Sequence, residues 1–133
     1  MALLDDQLVT IDTRMDELNK LDDMIAAQIQ LLHSKLHAHL NVRTFVPWTE
    51  MAGTLIWGRR PAGWMLFEDT SGNETPITSC SREIRSKLFE SEIVPELITA
   101  SSNQLQQSIA QRKLAIAAAE KLLAALGDAK GAL

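Results

Sequence analysis

Residues 4–36 read LDDQLVTIDTRMDELNKLDDMIAAQIQLLHSKL, and the spacing of apolar side chains in this stretch decides the fold. Two series recur every seven residues from Leu4 to His39, offset from each other by four, and nine of their eleven positions are apolar. Their members are Leu4, Ile11, Leu18, Ile25, Leu32 and His39, and Leu8, Met15, Asp22, Ile29 and Leu36. Such a pattern over about five heptads is typical of a coiled coil. Residues 1–40 contain no glycine or proline, so they are predicted to form one stalk helix about 55 Å long.

The segment 81–126 repeats this pattern less regularly. One series is Ile98, Leu105, Arg112, Ala119 and Leu126, and the other is Ser102, Ile109, Ile116 and Leu123. Ser81 is a suitable N-cap for a helix that begins after it. Pro95 either kinks this helix or lies in the first turn of a second one. Gly127 is predicted to end the helical segment, with residues 127–133 as a flexible tail.

The middle segment, residues 42–80, is predicted to form a small β module. Residues 54–57 and 64–67 are rich in β-branched, aromatic and large apolar side chains, and the six residues between them favour a turn. Trp57 and Trp64 are expected to face each other across this hairpin. Residues 42–46 and 74–78 add candidate strands, with Pro76 favouring an edge position. The predicted fold is α+β and mainly α: a single domain in which a small antiparallel β-meander is inserted between the helices of a long antiparallel helical hairpin.

Each heptad pattern has one charged interruption, Asp22 in the first helix and Arg112 in the last. In an antiparallel hairpin whose facing residue numbers sum to 134, Asp22 meets Arg112 and the other facing pairs are almost all apolar. A buried ion pair adds little net stability, but it can select one register. We therefore expect Asp22 and Arg112 to form a structural ion pair.

Both long helices carry a second, weaker apolar stripe, which a two-helix hairpin leaves uncovered. Its larger members are Leu21, Met24, Leu31, Leu114 and Leu122. A second copy of the chain would cover this stripe and produce a four-helix bundle with twofold symmetry. The β module folding back, or a different partner protein, would also cover it. A homodimer is the favoured prediction.

Composition excludes several classes of protein. With 13 basic and 17 acidic residues the net charge is −4, which makes general nucleic-acid binding unlikely because phosphate neutralisation needs a basic face. Cys80 is the only cysteine, so neither an internal disulfide nor a cysteine-based zinc site can form. No apolar run is long enough to span a membrane. The first residues are acidic where a signal peptide would be basic, so a cytoplasmic protein is expected.

Few residues have the types and spacing of a metal-binding, ligand-binding or catalytic site. His33 and His37 are four apart on one helix face, a spacing that metal sites use, but no carboxylate or cysteine completes the set, and no metal or other cofactor is predicted. Arg59 and Arg60 are expected at the hairpin tip, where they and an exposed Trp48 could contact a partner. No group of acid, base and nucleophile is concentrated in one segment, so no catalytic residue and no enzyme is predicted.

The sequence is therefore interpreted as a non-enzymatic scaffold or adaptor: an oligomeric coiled-coil stalk that presents a β module to a protein partner. One alternative is a module that binds phosphate or nucleic acid through Arg59 and Arg60. The order of helix, β-hairpins and helix in about 130 residues also resembles the layout of prefoldin subunits in outline, which implies a chaperone-like holder. No specific prefoldin motif is present, and no family membership is predicted.

Overall fold

The computed structural model describes the backbone of residues 2–131 and the side chains of residues 2–127. It confirms an α+β fold that is mainly α, with the sheet inserted between two long helices. The helices are α1 (Ala2–His39), α2 (Arg82–Glu90) and α3 (Ile93–Gly131), and the strands are β1 (Thr44–Trp48), β2 (Gly53–Arg60), β3 (Gly63–Thr70) and β4 (Asn73–Pro76). Short 3₁₀ turns follow β1 and β4 at Thr49–Met51 and Ile77–Ser79.

The helical segment after the sheet is divided at Ser91 and Glu92. Ser81 caps α2 as expected, because its side chain accepts a hydrogen bond from the backbone N–H of Ile84 at 3.3 Å. Pro95 lies in the first turn of α3, where a proline costs no helical hydrogen bond. The helix then continues through Gly127 to Gly131, so its predicted end at residue 126 is wrong. One glycine inside a long helix costs only about 1 kcal/mol. Residues 132–133 of the predicted tail lie outside the described residues.

The sheet is an antiparallel meander in the order β1-β2-β3-β4. Strands β2 and β3 pair from Thr54 opposite Asp69 to Arg60 opposite Gly63, so the predicted six-residue turn shortens to Pro61 and Ala62. Arg59 and Arg60 consequently belong to β2 and not to the turn.

The two hairpin tryptophans are not directly opposite each other, because Trp57 pairs with Leu66 and Trp64 pairs with Arg59. Their rings are diagonal neighbours that stack, with centroids 5.9 Å apart and planes at 20°. The expected contact between the rings therefore forms with a different register.

The buried core lies between one face of the sheet, the C-terminal part of α1, α2 and the first turns of α3. Its fully buried members include Ile29, Leu55, Trp57, Leu66, Ile77, Leu88 and Leu97. Two polar contacts fix the long helices on this face. The Trp57 Nε1–H donates to the Leu40 carbonyl oxygen at 3.1 Å, just beyond the end of α1. The Ser101 hydroxyl of α3 donates to the Thr44 Oγ1 of β1 at 2.9 Å.

Candidate functional site

Many large apolar side chains are exposed on the two long helices outside the core. We call residues 2–24 of α1 and residues 103–127 of α3 the two arms. The seam residues are the large apolar heptad members of these arms, and each is between 39% and 67% exposed. They are Leu4, Leu8, Ile11, Met15, Leu18, Leu105, Ile109, Ile116, Leu123 and Leu126. Within the described chain, therefore, the two arms do not bury their heptad faces against each other.

The second apolar stripe is also exposed. The predicted interface residues Leu21, Met24, Leu31, Leu114 and Leu122 are between 48% and 72% exposed. Both stripes of both arms are therefore available to a partner, and Leu31 extends the second stripe beyond the α1 arm. Large exposed apolar surfaces of this kind usually mark interaction sites.

The predicted ion pair between Asp22 and Arg112 is not formed in the described chain. Asp22 instead binds Arg82 of α2, with 3.3 Å between Oδ2 and Nη1. Arg112 is exposed, and its Nη1 donates to the Ser108 carbonyl oxygen one turn earlier on its own helix. The physical reason is that α2 packs beside α1 and offers a nearer guanidinium, which the heptad pattern alone does not reveal.

The three residues predicted to bind a partner at the β module have different environments. Trp48 is only 2% exposed, because strand alternation points it into the core, and this part of the prediction is corrected. Arg60 lies on the opposite face of the sheet, where its guanidinium is 4.6 Å from the centre of the Phe67 ring and binds Glu74. Glu74 also binds Arg43 at 3.5 Å. Arg59 is exposed, and no described carboxylate forms a salt bridge with it.

Arg59 lines an open cleft of about 430 Å³ between the end of α1 and the hairpin end of the sheet. His37, Asn41, Gly63 and Trp64 complete its lining. A smaller cleft of about 220 Å³ adjoins it and shares His37, Gly63 and Trp64. We call the two together the hairpin cleft. Sequence reasoning identified Arg59 and His37, but it did not assign Asn41 or Trp64 to a site, because only the packing of α1 against β3 brings them together.

His33, one turn before His37, has a structural contact. Its Nε2 accepts a hydrogen bond from the backbone N–H of Leu66 at 3.3 Å, at the edge of β3 that β4 does not reach. This bond requires a neutral imidazole whose Nε2 carries no proton. Burial lowers the pKa of His33 below its ordinary value of 6.5, which favours the same neutral form. His33 therefore holds α1 on the edge of the sheet.

Metal binding and thiol chemistry find little support among the described residues. Within residues 2–127, no group of three His, Cys, Asp or Glu side chains is placed to hold a metal ion.

Burial is the main cause of a raised pKa at the Cys80 thiol, and the nearby Glu68 carboxylate adds to it. The thiol contacts the Pro76 carbonyl oxygen at 3.4 Å and packs against the core. A raised pKa disfavours the reactive thiolate.

Comparison with known proteins does not assign a function. No protein-family model, no curated protein and no solved structure matches the chain significantly. Among the described residues, no helix has the length and apolar character needed to cross a membrane. Among the described residues, the candidate functional surfaces are therefore the arms and the hairpin cleft.

Proposed function

We propose that this chain is a non-enzymatic interaction protein that assembles with a second copy through its arms and displays its β module at the other end of the assembly. The single observation that carries the proposal is the exposure of the heptad seam on both arms. Side chains of this size at coiled-coil spacing are normally buried in a helical partner. Two arms from each copy would form a four-helix bundle that covers both apolar stripes.

The exposed seam is large enough to drive association. Full burial of a Leu, Ile or Met side chain contributes about 1.5–3 kcal/mol. The ten seam residues are each roughly half exposed, so burying the remainder contributes about 1 kcal/mol per residue, or about 20 kcal/mol for two copies. Association costs about 4–15 kcal/mol in lost translational and rotational freedom. The apolar term therefore exceeds the cost.

Charge favours pairing unlike arms. The α1 arm holds seven acidic and two basic residues, a net charge of −5, whereas the α3 arm holds three basic and one acidic residue, a net charge of +2. Like arms side by side would repel, and unlike arms attract. We therefore place the α1 arm of one copy against the α3 arm of the other.

The test compares two substitutions on one arm by sedimentation equilibrium. Ile116 is a seam residue that is 59% exposed, and Ile116→Ala removes about 1 kcal/mol at each of two symmetry-related sites. The dimer dissociation constant is then expected to rise about 30-fold. Gln107→Ala is the control, because Gln107 is exposed on the same arm but lies outside the heptad series. Equal dissociation constants for both variants and the unmodified chain would count against the proposal.

A chaperone-like holder would use the same exposed apolar side chains differently. Such a protein keeps its seam open for unfolded chains, whereas the proposed assembly covers it. An aggregation assay with a thermally unfolded client separates the two functions. If suppression of client aggregation increases at protein concentrations where the associated form predominates, the result contradicts the proposed role of the seam.

A further inference from the structure

The hairpin cleft receives one guanidinium, that of Arg59, which forms no salt bridge with a described carboxylate. The residues that line the larger cleft include no carboxylate. The walls of this cleft therefore carry no carboxylate that would repel an anion.

Three side chains can donate hydrogen bonds into the larger cleft. Arg59 offers a planar guanidinium, which suits phosphate oxygens in a two-pronged geometry, and His37 and Asn41 add an imidazole N–H and a carboxamide N–H. Arg59 contrasts with its neighbour Arg60, whose guanidinium is held by Glu74 on the other face of the sheet. Of these two arginines, only Arg59 is placed to bind a ligand in the cleft.

The end of a helix normally presents negative carbonyl groups that repel an anion. Here the Leu40 carbonyl oxygen, at the end of α1, already accepts the hydrogen bond from the Trp57 Nε1–H at 3.1 Å. His37 also lies in the last turn of α1. The hydrogen bond from Trp57 satisfies this carbonyl oxygen and so reduces the negative character of the helix end beside the cleft.

Trp64 and Gly63 line the wall that the two clefts share. The Trp64 ring stacks on Trp57, which fixes it as a platform. Gly63, which lies beside Trp64 at the start of β3, has a φ of 120°. A ring attached to a bound phosphate can reach the Trp64 platform from the larger cleft, because both clefts include His37, Gly63 and Trp64.

We infer that the hairpin cleft binds the phosphate group of a small phosphorylated compound, with Arg59, His37 and Asn41 as hydrogen-bond donors and Trp64 as the platform for an attached ring. A polynucleotide fits less well, because tight binding of nucleic acid requires several phosphate contacts, and the cleft contains one arginine. This site is separate from the arms and does not depend on the assembly proposed above.

The experiment titrates the full chain with inorganic phosphate, ribose 5-phosphate and adenosine monophosphate, using tryptophan fluorescence and calorimetry. Saturable binding of at least one compound is expected, and Arg59→Gln should weaken it about tenfold or more. Arg60→Gln is the matched control, an adjacent arginine on the other face of the sheet, and it should leave the affinity unchanged. Circular dichroism confirms that both variants remain folded.

The three compounds distinguish the possible sources of the phosphate. If adenosine monophosphate binds more tightly than ribose 5-phosphate, and Trp64→Leu removes that advantage, the attached ring stacks on Trp64. Equal affinity for all three compounds assigns the site to the phosphate group alone and overturns the role of Trp64. Binding that Arg59→Gln and Arg60→Gln weaken equally, binding of polynucleotides only, or no saturation with any compound would overturn the inferred site.

Discussion

Trp48 and Trp57 are two buried tryptophans, and of the two only Trp57 has a hydrogen-bond partner for its Nε1–H among the described residues. Replacing each with phenylalanine tests what that bond contributes. Both side chains are at most 2% exposed. The Trp57 Nε1–H donates to the Leu40 carbonyl oxygen at 3.1 Å, whereas the Trp48 Nε1 has no hydrogen-bond partner among the described residues. Trp48→Phe and Trp57→Phe remove the same atoms, so the costs of lost volume largely cancel between them.

Hydrogen-bond energetics set the lower bound of the remaining difference, because weakened stacking on Trp64 adds to the cost of Trp57→Phe. Trp57→Phe leaves a buried carbonyl oxygen unpaired, which costs about 1–3 kcal/mol. Trp48→Phe removes a buried N–H that was already unpaired and regains a similar penalty. Trp57→Phe should therefore lower the free energy of unfolding by at least about 2 kcal/mol more than Trp48→Phe does.

Urea denaturation at one fixed protein concentration measures this difference, because association shifts stability with concentration. The slopes of the two transitions should agree, so that the midpoints report stability alone. Equal losses for the two variants, or a larger loss for Trp48→Phe, would refute the assignment of the Trp57 hydrogen bond as the contact that fixes the end of α1.

Two further predictions concern the sheet. Because the pKa of His33 is lowered, the unfolded chain binds the proton more readily, and the contribution of His33 to stability is complete above pH 6.5 and decreases as the pH falls toward its folded pKa. The difference in unfolding free energy between the unmodified chain and His33→Gln should therefore shrink from pH 7.5 to pH 5.5. A difference independent of pH would contradict a neutral His33 that accepts the hydrogen bond. Gly53→Ala would place its Cβ 2.5 Å from the Asp69 carbonyl oxygen and should lower the free energy of thermal unfolding by about 1–3 kcal/mol. Gly58→Ala should cost less, because the nearest atom to its Cβ is 3.7 Å away, and an equal loss for both variants would show that the close contact at Gly53 does not determine stability.

Periodicity predicted the first long helix of this fold, but it could not predict which elements contact it. The seven-residue pattern from Leu4 to Leu36 predicted α1 almost to the residue, because amphipathic spacing is a local property of the chain. The partner of Asp22 was not predictable in this way. The helix α2 lies beside α1 only in the folded chain, where its Arg82, and not Arg112, forms a salt bridge with the Asp22 carboxylate.

Only part of the candidate site could be predicted from the sequence, and the reason is related. Adjacent residues of a strand point to opposite faces, so Arg59 and Arg60 separate once β2 extends to residue 60. The predicted hexapeptide turn grouped them as one basic tip. The same alternation points Trp48 inward, a result that needed the β1 strand to run two residues beyond its predicted end. Strand boundaries, and not composition, decided which side chains are exposed.

Sedimentation equilibrium of the unmodified chain over a range of concentrations tests the central claim, association through the arms, most directly. The chain has a mass of 14.7 kDa, so a dimer has twice that mass, about 29 kDa, and the associated species should dissociate as protein concentration falls. Convergence on the dimer mass at high concentration is the predicted result. A mass of 14.7 kDa at every concentration would contradict it, because the exposed seam would then remain uncovered by a second copy.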